Sequence, residues 1–283
     1  MMELAMTRLN FENSNSPKEQ DWALDSQETK RKFLFSTSPR LVGGTTFVNH
    51  AALDQTQVKL LADAAIHSMN ETRKILLNWR RQGQCLSDIY LHGIAQSTRL
   101  IGELWSSDEL DFASGNIAYT HLHLAMLELS AEFLSEGRTE DNGYSLLLMT
   151  EPGSQHGMGA FMLGEFFRRS GWRVTLAAPQ DIVDFKRWFM SDWFDAAVLS
   201  ISTDRQIDHI AKAVSELHNA TVNPNLKVFV GGLMTSILPD RLNWPGIVTL
   251  HSEAEETVEM VSQAMVSAST PSKTYSSPAA IPS

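Results

Sequence analysis

Hydrophobic positions along the chain change their period once. Between 53 and 136 apolar residues recur at helical spacing. Val58, Leu61, Ala65, Met69, Leu76 and Trp79 form one stripe, and Tyr90, Ile94, Ile101 and Leu104 a second. Ala118, Leu122, Ala125, Leu129 and Phe133 form a third. Three- and four-residue intervals of this kind predict amphipathic helices. With breaks at Gln82-Gly83-Gln84 and Ser106-Ser107-Asp108, the region reads as a bundle of roughly four helices. A polar stretch, Gly137 to Gly143, follows as a linker. Beyond it, short apolar runs at 144–150, 173–177, 196–201, 227–230 and 247–250 alternate with amphipathic segments near 159–170, 180–192, 204–219, 233–238 and 253–266. This strand–helix alternation predicts an α/β domain with a doubly wound, parallel, five-stranded sheet and helices on both faces.

The flanks carry no such periodicity. Residues 1–46 are polar and mixed in charge, as a flexible arm would be, and 268–283 are rich in Ser, Pro and Ala. Too little apolar surface is available there to offset chain entropy, so a disordered tail is expected. The division is therefore arm 1–46, helical bundle 47–137, sheet domain 143–267 and tail 268–283. Asp and Glu number 33 against 23 Lys and Arg, a net charge of −10. That balance argues against coating nucleic acid by charge, which needs clustered cations to displace counterions. The lone Cys85 excludes an intramolecular disulfide framework and a cysteine-built zinc site. The absence of a long apolar run and of a leader-like N-terminus leads to the expectation of a soluble, cytoplasmic protein without membrane contact.

In doubly wound sheets ligands bind beyond the carboxyl ends of the strands. Three loops there carry unusual residues: Glu151-Pro152-Gly153-Ser154-Gln155-His156-Gly157-Met158-Gly159, then Ser200-Ile201-Ser202, then Gly231-Gly232. They would converge into a site with one imidazole, small hydroxyls and exposed backbone. Each has a plainer explanation: a surface or capping role for His156, turn geometry for the glycines, ordinary strand-end serines. A dinucleotide site is disfavoured. Gly153, Gly157 and Gly159 do not follow the Gly-x-Gly-x-x-Gly spacing, and Ala177-Ala178-Pro179 stands where a ribose-binding carboxylate belongs. No phosphate loop of the Gly-x-x-x-x-Gly-Lys type occurs.

These elements resemble the signature of cobalamin-binding Rossmann-like (flavodoxin-like) domains: Asp-x-His-x-x-Gly, then Ser-x-Leu, then Gly-Gly. Here they read Ser154-Gln155-His156-Gly157-Met158-Gly159, Ser200-Ile201-Ser202 and Gly231-Gly232. Forty residues separate Gly159 from Ser200, and 28 separate Ser202 from Gly231, in keeping with that family. A preceding helical bundle is also found in methionine synthase and in light-sensing cobalamin regulators. The resemblance implies that His156 is the lower axial ligand of cobalt. It also implies that Ser200 and Ser202 hydrogen-bond along the cofactor's nucleotide tail, which passes close to Gly231 and Gly232. Two departures matter. Ser154 replaces the aspartate that orients the histidine, and Ser202 replaces leucine. A hydroxyl polarises imidazole less than a carboxylate does, which suits sensing better than methyl transfer or mutase chemistry.

The bundle narrows the resemblance. Trp105-Ser106-Ser107-Asp108, followed by Phe112, lacks the Glu-His pair of CarH-type repressors around Ser114-Gly115-Asn116. With the Glu-Pro-Gly-x-Gln-His loop and Gly171-Trp172, it is similar instead to AerR/PpaA antirepressors, relatives of the heme- or corrinoid-binding SCHIC region of AppA. The family implies a regulator without turnover that responds to light, binds adenosyl-, methyl- or hydroxocobalamin, and acts on a CrtJ/PpsR-type repressor. DNA is then reached only through that partner. It places Trp105 over the upper corrin face, with Phe112 beside it, although aromatics on a bundle equally serve as core. His121 is expected to face the cofactor and His123, two residues on, solvent. Asp108 and Asp111 are read as helix-cap residues, and His50 is the arm's one coordinating side chain. Two other functions fit the scaffold: a corrinoid methyl carrier, and a heme-binding redox sensor with His156 on iron.

Overall fold

The computed structural model describes residues 53–137, 140–154, 157–217, 221–251 and 253–269. The arm expected at 1–46, with His50 at its border, residues 270–283 of the tail, and His156 itself lie outside the described residues.

Helix α1 (Gln55–His67) starts at Asp54, whose carboxylate accepts from Gln57 N at 2.8 Å while Gln57 Oε1 accepts from Asp54 N at 2.9 Å. This reciprocal box satisfies two amides that a helix start leaves open. The stripe from Val58 to Trp79 suggested one unbroken helix, but Ser68 divides it from α2 (Met69–Arg81). Ser68 adopts an extended φ of −160° and its hydroxyl accepts from Glu71 N. The apolar spacing runs on across the break because both helices bury residues in the same core. A single rod then comprises α3 (Leu86–Asp88), a π-helical segment (Ile89–Ile94) and α4 (Ala95–Ser106). The long α5 (Phe112–Ser135) is capped by Asp111, which accepts from Ser114 N at 3.0 Å, as expected.

The second half alternates β1 (Ser145–Thr150), α6 (Met158–Arg169), β2 (Arg173–Ala177), α7 (Ile182–Ser191), β3 (Ala196–Ser200) and α8 (Ile207–Glu216). It continues with β4 (Lys227–Gly231), the short α9 (Leu233–Ile237), β5 (Val248–Thr249) and α10 (Ala254–Ser269). All pairs are parallel, in the order β2-β1-β3-β4-β5. The chain leaves β1 outward to β2 and returns to β3 on the other side. The crevice this reversal opens at the carboxyl ends of β1 and β3 is where such sheets hold ligands.

Alternation along the strands assigns the two faces. Leu147, Met149, Ala197, Leu199 and Val230 pack against Phe185, Phe189 and Ile210. Leu146, Leu148, Ala196, Val198 and Phe229 face α6, α10 and the bundle. There Phe133 of α5 stacks on Tyr90 at 4.4 Å between centroids and meets Phe166 of α6 edge-on at 4.9 Å. Buried Tyr90 donates to Met126 O at 2.9 Å, and burial raises its phenol well above the usual range. Ser130 donates to the buried carboxylate of Glu165, which pairs with Arg168 at 2.9 Å. Arg169 donates to Ser87 Oγ at 2.6 Å and lies over the Phe133 ring. Bundle and sheet thus have one continuous core on this side. Among the described residues no helix is long and apolar enough to cross a membrane.

Candidate functional site

Strand register places the sheet's contribution first. Thr150 pairs with Ser200, and Ser200 with Gly231, so the three form one rung at the carboxyl edge. Thr150 lies two residues beyond Leu148 and Ser200 two beyond Val198, so both point to the face that carries α6, α10 and the bundle. The Thr150 hydroxyl is fully buried and has no hydrogen-bond partner among the described residues.

The β1–α6 loop is tied down on several sides. Glu151 is buried and its carboxylate accepts from Ser202 N at 2.6 Å and Thr203 N at 3.2 Å, joining this loop to the one after β3. Gln206 Nε2 donates to Pro152 O at 2.9 Å, and Gly153 N to Pro179 O at 2.8 Å. Gly153 needs its freedom, at φ +69°. Ser154 is half-buried and its amide donates to Glu151 O at 3.1 Å. Gly157 and Gly159 flank the start of α6 with open faces: a Cβ on either would meet nothing within 4 Å.

Of the glycine pair at the end of β4, Gly232 meets the plainer expectation of turn geometry. Gly232 sits at φ +97°, and a Cβ there would come within 2.6 Å of the Ile201 backbone. The chain itself, folding back to bond Met234 N to Ile201 O, requires this glycine with no ligand invoked. Gly231 is buried, and a Cβ there would touch Leu250 at an ordinary 3.5 Å.

The bundle closes on the same edge. Tyr119 Oη accepts from Met158 N at 2.9 Å, and Thr98 Oγ1 donates to Met158 Sδ at 3.7 Å. On α5 the residues facing α6 are Tyr119, His123, Ser130 and Phe133, meeting Met158, Phe161, Glu165 and Phe166 in turn, so the two helices run parallel. Phe112 lies on the same stripe two turns before Tyr119, and Trp105 lies two turns after Thr98 on α4. Both therefore project about 10 Å beyond the N-terminus of α6, over the carboxyl-edge loops. Their ring centroids are 6.3 Å apart, and they are 43% and 70% exposed for Trp105 and Phe112. Core packing does not account for them.

The histidines of α5 are exchanged relative to expectation. His121 turns away from the loops and its Nδ1 is 2.7 Å from Ala65 O of α1. His123, expected in solvent, is half-buried at the α5–α6 seam, edge-on to Tyr119 and to Phe161 at 5.5 Å. Burial lowers its pKa below the usual 6.5. Which of two residues so placed faces the sheet depends on where the second half docks.

These residues suit a cobalamin. The projecting aromatic pair stands where a flat macrocycle would be covered, the open glycines at α6 leave room at the loop, and the unpartnered Thr150 hydroxyl sits below it. Among the described residues no three His, Cys, Asp or Glu side chains cluster for a bare metal ion. A cleft of about 420 Å³ lies at the opposite edge, lined by Asn142, Tyr144, Ser170, Val258 and Ser262 and by none of the expected site residues.

Residues 144–262 match the family model described as B12 binding domain. The sheet half of the chain is similar to B12 binding domains. Over 151 residues it is 28% identical to an uncharacterized 20.5 kDa protein in the bchF-crtJ intergenic region of Rhodobacter capsulatus, covering 53% of this chain and 78% of that one. The monomethylamine corrinoid protein of Methanosarcina barkeri has the same fold, with a TM-score of 0.60 at 14% identity over 74% of this chain and 99% of that one. The B12 binding domain thus coincides with the sheet half, and the corrinoid-protein likeness extends into the bundle. With the relative beside crtJ, these findings support the AerR type of cobalamin-binding protein to which the sequence was likened.

Sequence patterns alone do not single out Thr150, Glu151, Tyr119 or His123 within the B12 binding domain and its bundle. Glu151 was visible as part of the loop, but its bonds to the β3 loop were not. Tyr119 and His123 follow the helical stripe, which marks a buried face without naming what it meets.

Proposed function

We infer that the protein is a cobalamin-binding, light-responsive antirepressor that acts on a CrtJ/PpsR-type repressor of photosynthesis genes. The observation that carries this is the relative whose gene region adjoins crtJ, together with a B12 binding domain. Bound alkylcobalamin supplies a cobalt–carbon bond that visible light breaks. The chain's own residues serve to hold and read that group. His156, with Ser154 close by in sequence, would hold the group's metal. Trp105 and Phe112 would cover its ring, while Glu151 and Tyr119 brace the two ends of the loop. The same contacts, Tyr119 to Met158 and His123 to Phe161, connect this loop to the bundle, so a change at the loop reaches the surface that a repressor would read. No turnover is assigned, and DNA is reached through the partner.

The test is reconstitution with adenosyl-, methyl- and hydroxocobalamin, in darkness and after illumination, for wild type and His156→Ala. Wild type is expected to take up cofactor and to change its corrinoid bands in light, with His156→Ala showing weaker uptake and an altered spectrum. An unchanged His156→Ala spectrum would remove the axial assignment. A Soret band with heme and no corrinoid uptake would favour the heme sensor. The fold is also that of a monomethylamine corrinoid protein, so a methyl-donor assay belongs beside it; turnover there would replace regulation with methyl carriage.

A further inference from the structure

Helix α5 carries apolar residues around its whole circumference rather than on one side. A helix of that kind is ordinarily covered all round. Its inner face, with Ala118, Leu122, Ala125 and Leu129, is buried in the core. Two residues on from these, about 200° around the helix, come Thr120, Leu124, Leu127 and Ala131, all of them exposed. With Ile117 before them and half-buried Leu134 after, they recur at alternating intervals of three and four, the spacing of a coiled-coil seam. Ile117, Leu124 and Leu127 are 47%, 43% and 43% exposed. The neighbours of α5 lie elsewhere: His121 meets α1, while Tyr119 and His123 meet α6. Only α2 borders the seam, where Arg73 pairs with Glu128 and Arg80 with Glu132. Between those arginines Leu77 adds one more exposed apolar side chain.

We propose that this seam is the interface of a homodimer in which α5 packs antiparallel against α5 of a second copy. A two-fold axis that sets Leu124 opposite Leu127 of the other copy also sets Ile117 opposite Leu134 and Thr120 opposite Ala131. Large side chains then meet large ones at the centre and both ends, and small meet small between them, so each layer fills evenly. One patch that complements itself is what a two-fold dimer requires, and antiparallel packing opposes the two helix dipoles. Charge favours a second copy as the occupant. The chain carries a net −10, yet the acids that border the seam are each held by an arginine of α2, so identical faces meet without like-charge repulsion. One helix face is at the small end of the roughly 1,200–2,000 Å² that stable interfaces bury, so association is expected in the micromolar range. Such a dimer points its two Phe112 ends, and with them two ligand edges, in opposite directions. It does not depend on which ligand those edges take.

The experiment is analytical ultracentrifugation of the full chain between about 1 and about 100 μM. It compares wild type, Leu124→Glu, Leu127→Lys and an equimolar mixture of the two variants. Wild type is expected to pass from monomer to dimer across this range. Either variant alone buries an unpaired charge twice in a symmetric pair, so its self-association is expected to weaken by roughly a hundredfold. In the mixture the introduced glutamate of one chain faces the introduced lysine of the other, while the two remaining leucines face each other. Dimer is then expected to recover to within about tenfold of wild type. Misfolded chains could not rescue one another, so recovery also shows that both variants fold. Wild type that stays monomeric at about 100 μM overturns the proposal and leaves the seam to a helix of another protein. A dimer indifferent to both substitutions overturns it as well, and so does a mixture that fails to recover.

Discussion

Tyr119 joins two parts of the molecule through one oxygen. Its phenol accepts the amide of Met158, two residues beyond His156. Replacing it with phenylalanine keeps the ring and deletes only this acceptor, at a cost of about 0.5–1.5 kcal/mol in stability. A merely structural role would leave the ligand untouched. We expect instead that Tyr119→Phe weakens cobalamin binding in wild type but not in a His156→Ala background. Double-mutant binding measurements check this, and additive losses would mean the two residues act separately. At this scale the sequence was informative where topology dictates chemistry. Loops after parallel strands face a ligand edge, and that rule alone singled out the segments containing His156, Ser200 and Gly231. It was blind where meaning depends on a partner. A threonine at a strand end does not announce that its hydroxyl is unpaired, and Gly232 looks like a ligand clearance until the Ile201 backbone is seen against it.

At the level of elements, periodicity located the helices and strands because each buries a face. It missed the break at Ser68, since α1 and α2 supply apolar residues to one core. The seam between α5 and α6 is the element pair of most consequence. His123 packs there between Tyr119 and Phe161 with its pKa held below 6.5 by burial. The unfolded chain therefore takes up this proton first, so the seam keeps its full stability above about pH 6.5 and loses it as pH falls through the depressed value. His123→Phe is expected to lessen the drop in melting temperature between about pH 7.5 and about pH 5.5. An identical drop in both proteins would exclude His123 as a contributor. Nothing in the spacing of His121 and His123 foretold which would lie here, because a two-residue offset fixes opposite directions and not the docking side.

The polar linker near Gly137–Gly143 marks a boundary in composition between bundle and sheet half. The larger core runs across it, from Leu61 and Trp79 in the bundle through Phe133 and Phe166 to Leu148 and Val261 in the sheet half. Composition marks the linker but cannot reveal that the faces on either side of it are buried against one another. Scanning calorimetry of the full chain should therefore give one cooperative transition, with the calorimetric and van't Hoff enthalpies equal. Two resolved transitions would show independent domains.

Helix α5 has 24 residues, a length of about 36 Å. Phe112 is at one end, above the ligand edge, and at the other Glu132 and Glu136 are gripped by Arg80 and Arg169. A stiff rod of this span acts as a lever: tilt imposed at the aromatic end reappears as displacement of the arginine–glutamate cluster on the far side. On the regulatory reading proposed above, a partner would sense a bound group from a surface remote from it, and the binding edge would stay open to light and solvent.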